Sequence, residues 1–149
     1  IGFLPGTEEE KMTPWMGALM DNLEVLTSTP GGDTGNWARA ATNDLLSNRI
    51  KIRSLNFMRG RTFLNRYIII DEAQNLTSKQ MKTLITRAGP GTKVVCLGNI
   101  AQIDTPYLSE TTSGLTYVVD RFKDWDHSAH ITLLRGERSR LAEFASEQL

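Results

Sequence analysis

The stretch Tyr67–Gln74 most constrains the fold, because a short apolar run ends there in two adjacent acidic residues. Three consecutive isoleucines before Asp71 are typical of a buried parallel β-strand, since both faces of such a strand are covered. In open α/β sheets, ligands bind at the carboxyl ends of the strands. The sequence therefore predicts that Asp71 and Glu72 stand at a ligand-binding edge of a parallel sheet.

Asp71 and Glu72 have the arrangement of the Walker-B motif of nucleotide hydrolases. In that motif the first carboxylate holds Mg²⁺, usually through water, and the second orients or deprotonates the attacking water. The alternative is a buried strand that ends in two solvated acids at a turn. The sequence that follows favours the functional interpretation.

The residues after the acidic pair predict a βαβ unit. Thr77 and Gln80 have the spacing of a capping box, and Leu76 and Met81 have the spacing of a hydrophobic staple. A second strand is predicted over Lys93–Leu97. A strand, a helix and a strand in this order give parallel strands joined by a right-handed crossover.

The polar segment after the second predicted strand contains Gln102, a candidate sensor of the γ-phosphate. Its amide can donate to a phosphate oxygen and accept from the attacking water. The alternative is a polar loop without a function. We favour the sensor because two neighbouring strand ends, joined by one helix, both carry suitable polar groups.

The hydrophobic pattern predicts further elements on both sides of this unit. The predicted helices cover about residues 13–26, 36–48, 115–122 and 141–149, and a capping box is predicted at Thr7–Glu10. The predicted strands are Ile50–Leu55, by alternation, and His130–Leu134.

Basic residues are concentrated in one segment, although the formal net charge of the chain is zero. From Leu45 to Ile70 there is no acid, and the basic residues are Arg49, Lys51, Arg53, Arg59, Arg61 and Arg66. Arg59–Thr62 could bind a nucleotide phosphate, a nucleic-acid backbone, or neither. We retain Arg59 and Arg61 as candidate cofactor-binding residues, without a more specific role.

Arg138 lies in an arginine-rich turn before the last predicted helix. Arginine suits bidentate phosphate contact, and one that arrives from another strand or subunit can stabilise charge on a transferring phosphoryl group. The alternative, favoured by the turn alone, is a solvated basic surface. The single cysteine, Cys96, and the absence of a long apolar run predict a cytoplasmic protein without a membrane span.

The sequence has no G-x-x-x-x-G-K-[ST] motif. Gly89–Lys93 is superficially similar but leads into a predicted strand, whereas a phosphate loop must lead into a helix whose N-terminus faces the phosphates. We therefore expect the hydrolytic half of a nucleotide site without its phosphate cradle. Because the chain also starts at Ile1 without an initiator Met, we expect it to be a piece of a longer protein.

These stretches together resemble the PhoH family of P-loop ATPases, which is related to superfamily 1 helicases. The matching stretches are Gly2–Gly6 with Glu10 and Lys11, Arg59–Thr62, Ile69–Asn75, Gly98–Asp104, Pro106–Leu108, Ser113–Tyr117 and Gly136–Ala142. The tail, with Asn99 where many members have Asp, is similar to the branch in which a PIN nuclease domain precedes the PhoH domain.

The resemblance implies one α/β domain over residues 1–149, of the three-layer parallel-sheet P-loop NTPase type that is similar to RecA and superfamily 1 helicases. The first strand and the phosphate loop would be missing. Asp71 would hold Mg²⁺, Glu72 would act on water and Gln102 would sense the γ-phosphate of ATP. Arg138 would be the finger or sensor arginine.

The same resemblance implies Mg²⁺-dependent binding and hydrolysis of ATP in the parent protein, coupled to RNA binding or unwinding. Its implied partners are RNA, a PIN nuclease domain in the same polypeptide, and further copies of the protein in a homo-oligomer. The isolated chain would have little or no activity. The alternative is a non-catalytic module that binds RNA or protein.

Overall fold

The structure, a computed structural model, describes residues 7, 13–27, 40–41, 43–44, 48–55 and 60–149. The chain divides into two compact units, Ile1–Arg61 and Thr62–Leu149. The first contains helix α1 (Thr13–Thr27). The second contains β1 (Tyr67–Ile70), a 3₁₀ helix (Ala73–Asn75), α2 (Ser78–Ile85), β2 (Lys93–Cys96), α3 (Gly114–Phe122) and α4 (Arg140–Gln148).

In the first unit, α1 confirms the helix predicted over residues 13–26. The predicted capping box at Thr7–Glu10 and most of the predicted helix over 36–48 lie outside the described residues. The strand predicted over Ile50–Leu55 is wrong, because these residues form no strand. Residues 52–54 are all partly buried, so the apolar alternation of the sequence does not correspond to one exposed and one covered face.

The second unit is built on a parallel pair of strands. β1 and β2 pair from Tyr67 opposite Lys93 to Ile70 opposite Cys96. The ladder continues beyond the strands, because the Leu97 N–H donates to the Ile70 carbonyl and the Ala73 N–H donates to the Leu97 carbonyl, both at 2.9 Å. The predicted order of strand, helix and parallel strand is confirmed.

The core of this unit gathers side chains from β1, the 3₁₀ helix and α2. It contains Ile70, Ala73, Leu76, Met81 and Leu84. α3 packs against α2 and the 3₁₀ helix.

β1 differs from its prediction, which placed it fully inside the protein. Tyr67 and Ile69 are 65% and 58% exposed, whereas Ile70 is buried. Successive side chains of a strand point to opposite faces of the sheet, so only the face that carries Ile70 is covered.

The start of α2 forms as predicted. The Gln80 N–H donates to Thr77 Oγ1 at 3.1 Å, and the Thr77 N–H donates to Gln80 Oε1 at 2.9 Å, which completes the capping box. Leu76 and Met81, the two residues of the predicted staple, are both buried. The helix is short, ending at Ile85 before Gly89.

The strand predicted over His130–Leu134 is absent, and this prediction is wrong. Residues 129–139 have no regular structure, and Leu133 and Leu134 are 87% and 95% exposed. An apolar segment becomes a strand only where another strand accepts its ladder hydrogen bonds. None of the described residues does so here. α4 follows, as predicted, with Ser139 as its N-cap.

No helix in the part of the chain that the structure describes combines the length and the apolar character needed to cross a membrane.

Gly114 allows α3 to begin directly against the turn that precedes α2. Its N–H donates to the Leu76 carbonyl at 2.7 Å. A Cβ at this position would stand 2.6 Å from the carbonyl oxygens of both Leu76 and Thr77. Because both are backbone atoms, neither can move aside cheaply.

Replacement of Gly114 by alanine should therefore lower the free energy of unfolding by about 1–3 kcal/mol, the usual cost of overpacking. Gly17→Ala in α1 is the matched control, because nothing lies within 4 Å of its added Cβ. That variant should be stabilised by roughly 0.5–1 kcal/mol, since alanine is the better helix former. Urea unfolding followed by circular dichroism measures both, and equal responses would contradict the packing.

Candidate functional site

The turn after β1 carries the two acidic residues. Asp71 and Glu72 follow the strand directly, and both side chains are exposed. Glu72 has φ 52° and ψ 37°, in the left-handed region that non-glycine residues rarely occupy. Asp71 Oδ1 accepts the Glu72 N–H at 2.9 Å and so stabilises this conformation. The two carboxylates are thereby placed at the carboxyl end of β1.

Gln74, two residues further on, is a fully buried polar side chain. Its Oε1 accepts the Asn99 N–H at 3.2 Å, and its Nε2 donates to the Gln102 carbonyl at 3.2 Å. The same Nε2 also donates to Glu72 Oε2. One buried amide therefore joins the second carboxylate to the loop that follows β2.

Asn75 fixes the far end of that loop. Its Oδ1 accepts the Asp104 N–H at 2.7 Å, and its carbonyl accepts the Thr105 hydroxyl at 3.1 Å. The loop is thus tied to the turn after β1 at both ends, through side chains of adjacent residues.

Ser113 and Gly98 lie against Gln74, beneath the two carboxylates. The fully buried Ser113 hydroxyl donates to the Gln74 carbonyl at 2.8 Å and accepts the Leu115 N–H at 3.3 Å as the N-cap of α3. A Cβ on Gly98 would come within 2.6 Å of Gln74 Oε1. Only glycine lets the end of β2 pass this close to the buried amide.

The structure brings some of the predicted site residues together. Gln102 lies in the turn after β2 with an exposed side chain, and its carbonyl shares the Gln74 amide with Glu72. Arg138 is exposed in the irregular segment before α4. No hydrogen bond or ion pair within the described residues links it to the carboxylates. Arg61 is exposed in the other unit, and Arg59 lies outside the described residues.

Asp71 could hold an ion that takes only one or two of its ligands from the protein. Nowhere in the described residues do three or more His, Cys, Asp or Glu side chains gather into a possible metal site. Mg²⁺ is commonly bound by one or two carboxylates, with water and substrate phosphates as its other ligands. One oxygen of Asp71 accepts the Glu72 N–H. The other accepts no hydrogen bond from the described residues and could face such an ion.

Cys96 lies at the end of β2 but takes no part in the site. Burial raises the pKa of its thiol above the ordinary value, since a low-dielectric environment disfavours the thiolate. The thiol therefore stays protonated at neutral pH and is a poor nucleophile.

The central residue of the site, Gln74, has no role in the sequence-based predictions. It stands next to the predicted carboxylates and within the stretch that carries the family resemblance, but its partners Asn99 and Gln102 are 25 and 28 residues away. The one local signal is a polar side chain between Ala73 and Leu76, where the chain has just left an apolar strand.

A family model described as PhoH-like protein matches residues 1–145. The chain belongs to the PhoH-like family. The resemblance inferred from its motifs is therefore confirmed, and the small parallel α/β sheet is consistent with the P-loop NTPase type of domain.

Curated PhoH relatives match the whole chain or nearly all of it. Protein PhoH2 of Bacillus subtilis (strain 168) is 46% identical over 151 residues, covering 100% of this chain and 33% of the relative. Protein PhoH2 of Mycolicibacterium smegmatis is 35% identical over 150 residues, covering 100% of this chain and 32% of the relative. A PhoH-like protein of Mycobacterium tuberculosis (strain ATCC 25618 / H37Rv) is 38% identical over 143 residues, covering 95% and 38%. The chain spans about a third of the length of these relatives.

Two serine N-caps of this PhoH-like chain allow the contribution of one buried hydrogen bond, from Ser113 to the Gln74 carbonyl, to the free energy of unfolding to be measured. Ser113 caps α3 and also bonds the Gln74 carbonyl, whereas Ser139 caps α4 at the surface. Ser139→Ala should cost about 1 kcal/mol of unfolding free energy, the usual cost of losing a cap. Ser113→Ala should cost about 1 kcal/mol more, because it also leaves a buried carbonyl without its donor. Urea titrations that give equal losses would show that the second bond contributes nothing.

Proposed function

We propose that this PhoH-like chain supplies the hydrolytic half of an ATPase site in a longer protein. The observation that carries the proposal is the buried Gln74 amide, which links Glu72 to the carbonyl of Gln102. A carboxylate at one strand end and an amide side chain at the next are two of the groups that hydrolysis of a nucleoside triphosphate uses. Both stand at the carboxyl edge of a parallel sheet, where such sheets bind ligands.

Each residue has a defined task in this proposal. Asp71 would hold Mg²⁺, and the bound ion would supply positive charge that neutralises the phosphate oxygens. Glu72 orients the attacking water and accepts its proton. Gln102 donates from its side-chain amide to a γ-phosphate oxygen and so detects whether the terminal phosphate is present.

The rest of the nucleotide site would come from sequence outside this chain. We propose a three-layer domain similar to RecA and superfamily 1 helicases, in which a further strand and a phosphate loop join the parallel sheet. The uncovered face of β1 supports this arrangement, because parallel sheets are normally covered on both faces. The apolar segment Ile131–Leu134, which pairs with no strand among the described residues, supports it as well. We also propose that the same polypeptide contains a PIN nuclease domain.

Arg138 is proposed as a finger arginine that acts across a subunit interface in a homo-oligomer. The exposure of its side chain on an irregular segment supports this role, because the side chain is not packed against the carboxylates of the same chain. Arg59 and Arg61 are proposed to contact phosphate, either of the nucleotide or of RNA.

Glu72→Gln in the intact protein tests the mechanism. The amide cannot take a proton from water, so the ATPase rate should fall by roughly 10²–10⁴-fold, the usual contribution of a general base. Affinity for Mg·ATP should remain, because Asp71 is unchanged. Glu110→Gln, which neutralises another exposed carboxylate, is the control and should keep the wild-type rate.

Wild-type turnover by Glu72→Gln would reject this mechanism. The isolated 149-residue chain should show little or no Mg·ATP turnover, since it has no phosphate loop. Turnover by that chain, free of contaminants, would contradict the proposed division of the site.

A second candidate function is an RNA-binding module, either coupled to hydrolysis or acting without it. The specific observation is the acid-free basic segment between Leu45 and Ile70, in which Arg49, Lys51 and Arg61 are exposed. Exposed arginines and lysines bind nucleic acid by neutralising backbone phosphates, and such binding weakens as salt is added.

The double variant Arg59→Ala/Arg61→Ala should weaken RNA binding and reduce the slope of log affinity against log salt by about two, one for each lost phosphate contact. Lys79→Ala/Lys82→Ala on α2 removes two exposed charges outside the segment and is the matched control. Asp71→Ala should bind RNA as the wild type does. Absence of RNA binding at low salt would exclude both the module and the coupling of hydrolysis to RNA.

A further inference from the structure

Gln74 makes a contact that the packing of the core does not require. A buried amide is costly unless its polar atoms are paired, and Gln74 pairs its oxygen with the Asn99 N–H and its nitrogen with the Gln102 carbonyl. These two bonds already anchor the loop. The further bond from Nε2 to Glu72 Oε2 instead reaches out to an exposed carboxylate.

The backbone partners of Gln74 decide which way its amide faces. The Asn99 N–H can only donate, so it requires the amide oxygen, and the Gln102 carbonyl can only accept, so it requires the amide nitrogen. The NH₂ group is therefore turned towards Glu72. The loop after β2 thus sets the direction from which Glu72 is held.

The bond to Gln74 restrains Glu72 but occupies only one of its two carboxylate oxygens. Oε2 is occupied, whereas Oε1 accepts no hydrogen bond from any described residue and is left for water. Without the bond, an exposed glutamate samples several rotamers. The rate of a reaction falls steeply when a reacting group is misplaced.

We propose that Gln74 is a positioning residue that holds Glu72 in register with the loop that carries Gln102. The inference rests on the proposed ATPase function, and it adds a direct link between detection of the γ-phosphate and placement of the base. Because one nitrogen bonds both groups, a shift of the main chain at Gln102 moves the amide and, with it, Glu72.

Kinetics of the intact protein distinguish this role from simple anchoring of the loop. Gln74→Met keeps the volume of the side chain but removes its bond to Glu72 together with its two bonds to the loop after β2. It should lower kcat for ATP by roughly 10–100-fold, as misplacement of a reacting group does, with KM changed less than about threefold. Asn75→Ala is the matched control, because it frees the loop at Asp104 without touching Glu72. Because it loosens the loop but leaves Glu72 held by Gln74, that variant should lose clearly less kcat than Gln74→Met does.

The pH profile of Gln74→Glu gives a readout that a side chain serving only to fill the core would not change. An ionised Glu at this position repels the Glu72 carboxylate and the Gln102 carbonyl, whereas a protonated one can donate to either and restore part of the link. The ratio of its kcat to that of wild type should therefore rise as the pH falls from about 8 to about 6. The corresponding ratio for Gln74→Met should stay constant, and Gln74→Glu serves as the test by itself if Gln74→Met fails to fold.

Assays of wild type and Glu72→Gln beside these variants separate the proposed ATPase function from the positioning role of Gln74. Turnover that is lost in Glu72→Gln supports the ATPase function. Equal losses of kcat in Gln74→Met and Asn75→Ala, with a flat pH ratio for Gln74→Glu, would then overturn the positioning role alone. An intact protein without Mg·ATP turnover would overturn both.

Discussion

The parallel pairing of β1 with β2 is the constraint on which the rest of the second unit depends. It brings two carboxyl strand ends to one edge, and the ladder runs on through Leu97 to Ala73. Ile70 and Ala73 both hydrogen-bond to Leu97, so the two residues between them form a tight turn that projects from the sheet edge. The acidic pair is exposed for this reason.

The elements that the sequence predicts well are those whose signals are local. The capping box at Thr77 and the serine caps of α3 and α4 lie within three residues of the groups they bond. The strands predicted over Ile50–Leu55 and His130–Leu134 are absent because a strand is defined by its partner, and an apolar pattern does not contain one.

The same distinction applies to the site. The positions of Asp71, Glu72 and Gln102 are predictable, because the two acids follow directly after a strand that the sequence identifies and Gln102 lies in the loop after the next strand. Gln74 is not, since its role comes from bonds to residues 25 and 28 positions away that only the folded chain brings near. The parts of a site that react carry a recognisable chemistry, whereas the parts that hold them are recognised only by their contacts.

The left-handed backbone of Glu72 limits which residues can replace it, independently of any chemistry at its side chain. Valine, isoleucine and threonine, with their branched Cβ atoms, are strained in that conformation, whereas glycine, asparagine and aspartate adopt it most readily. The replacements that the turn tolerates best are therefore side chains too short to reach as far as a glutamate. At this position the backbone would select substitutions that preserve the fold while shortening the reach of the carboxylate.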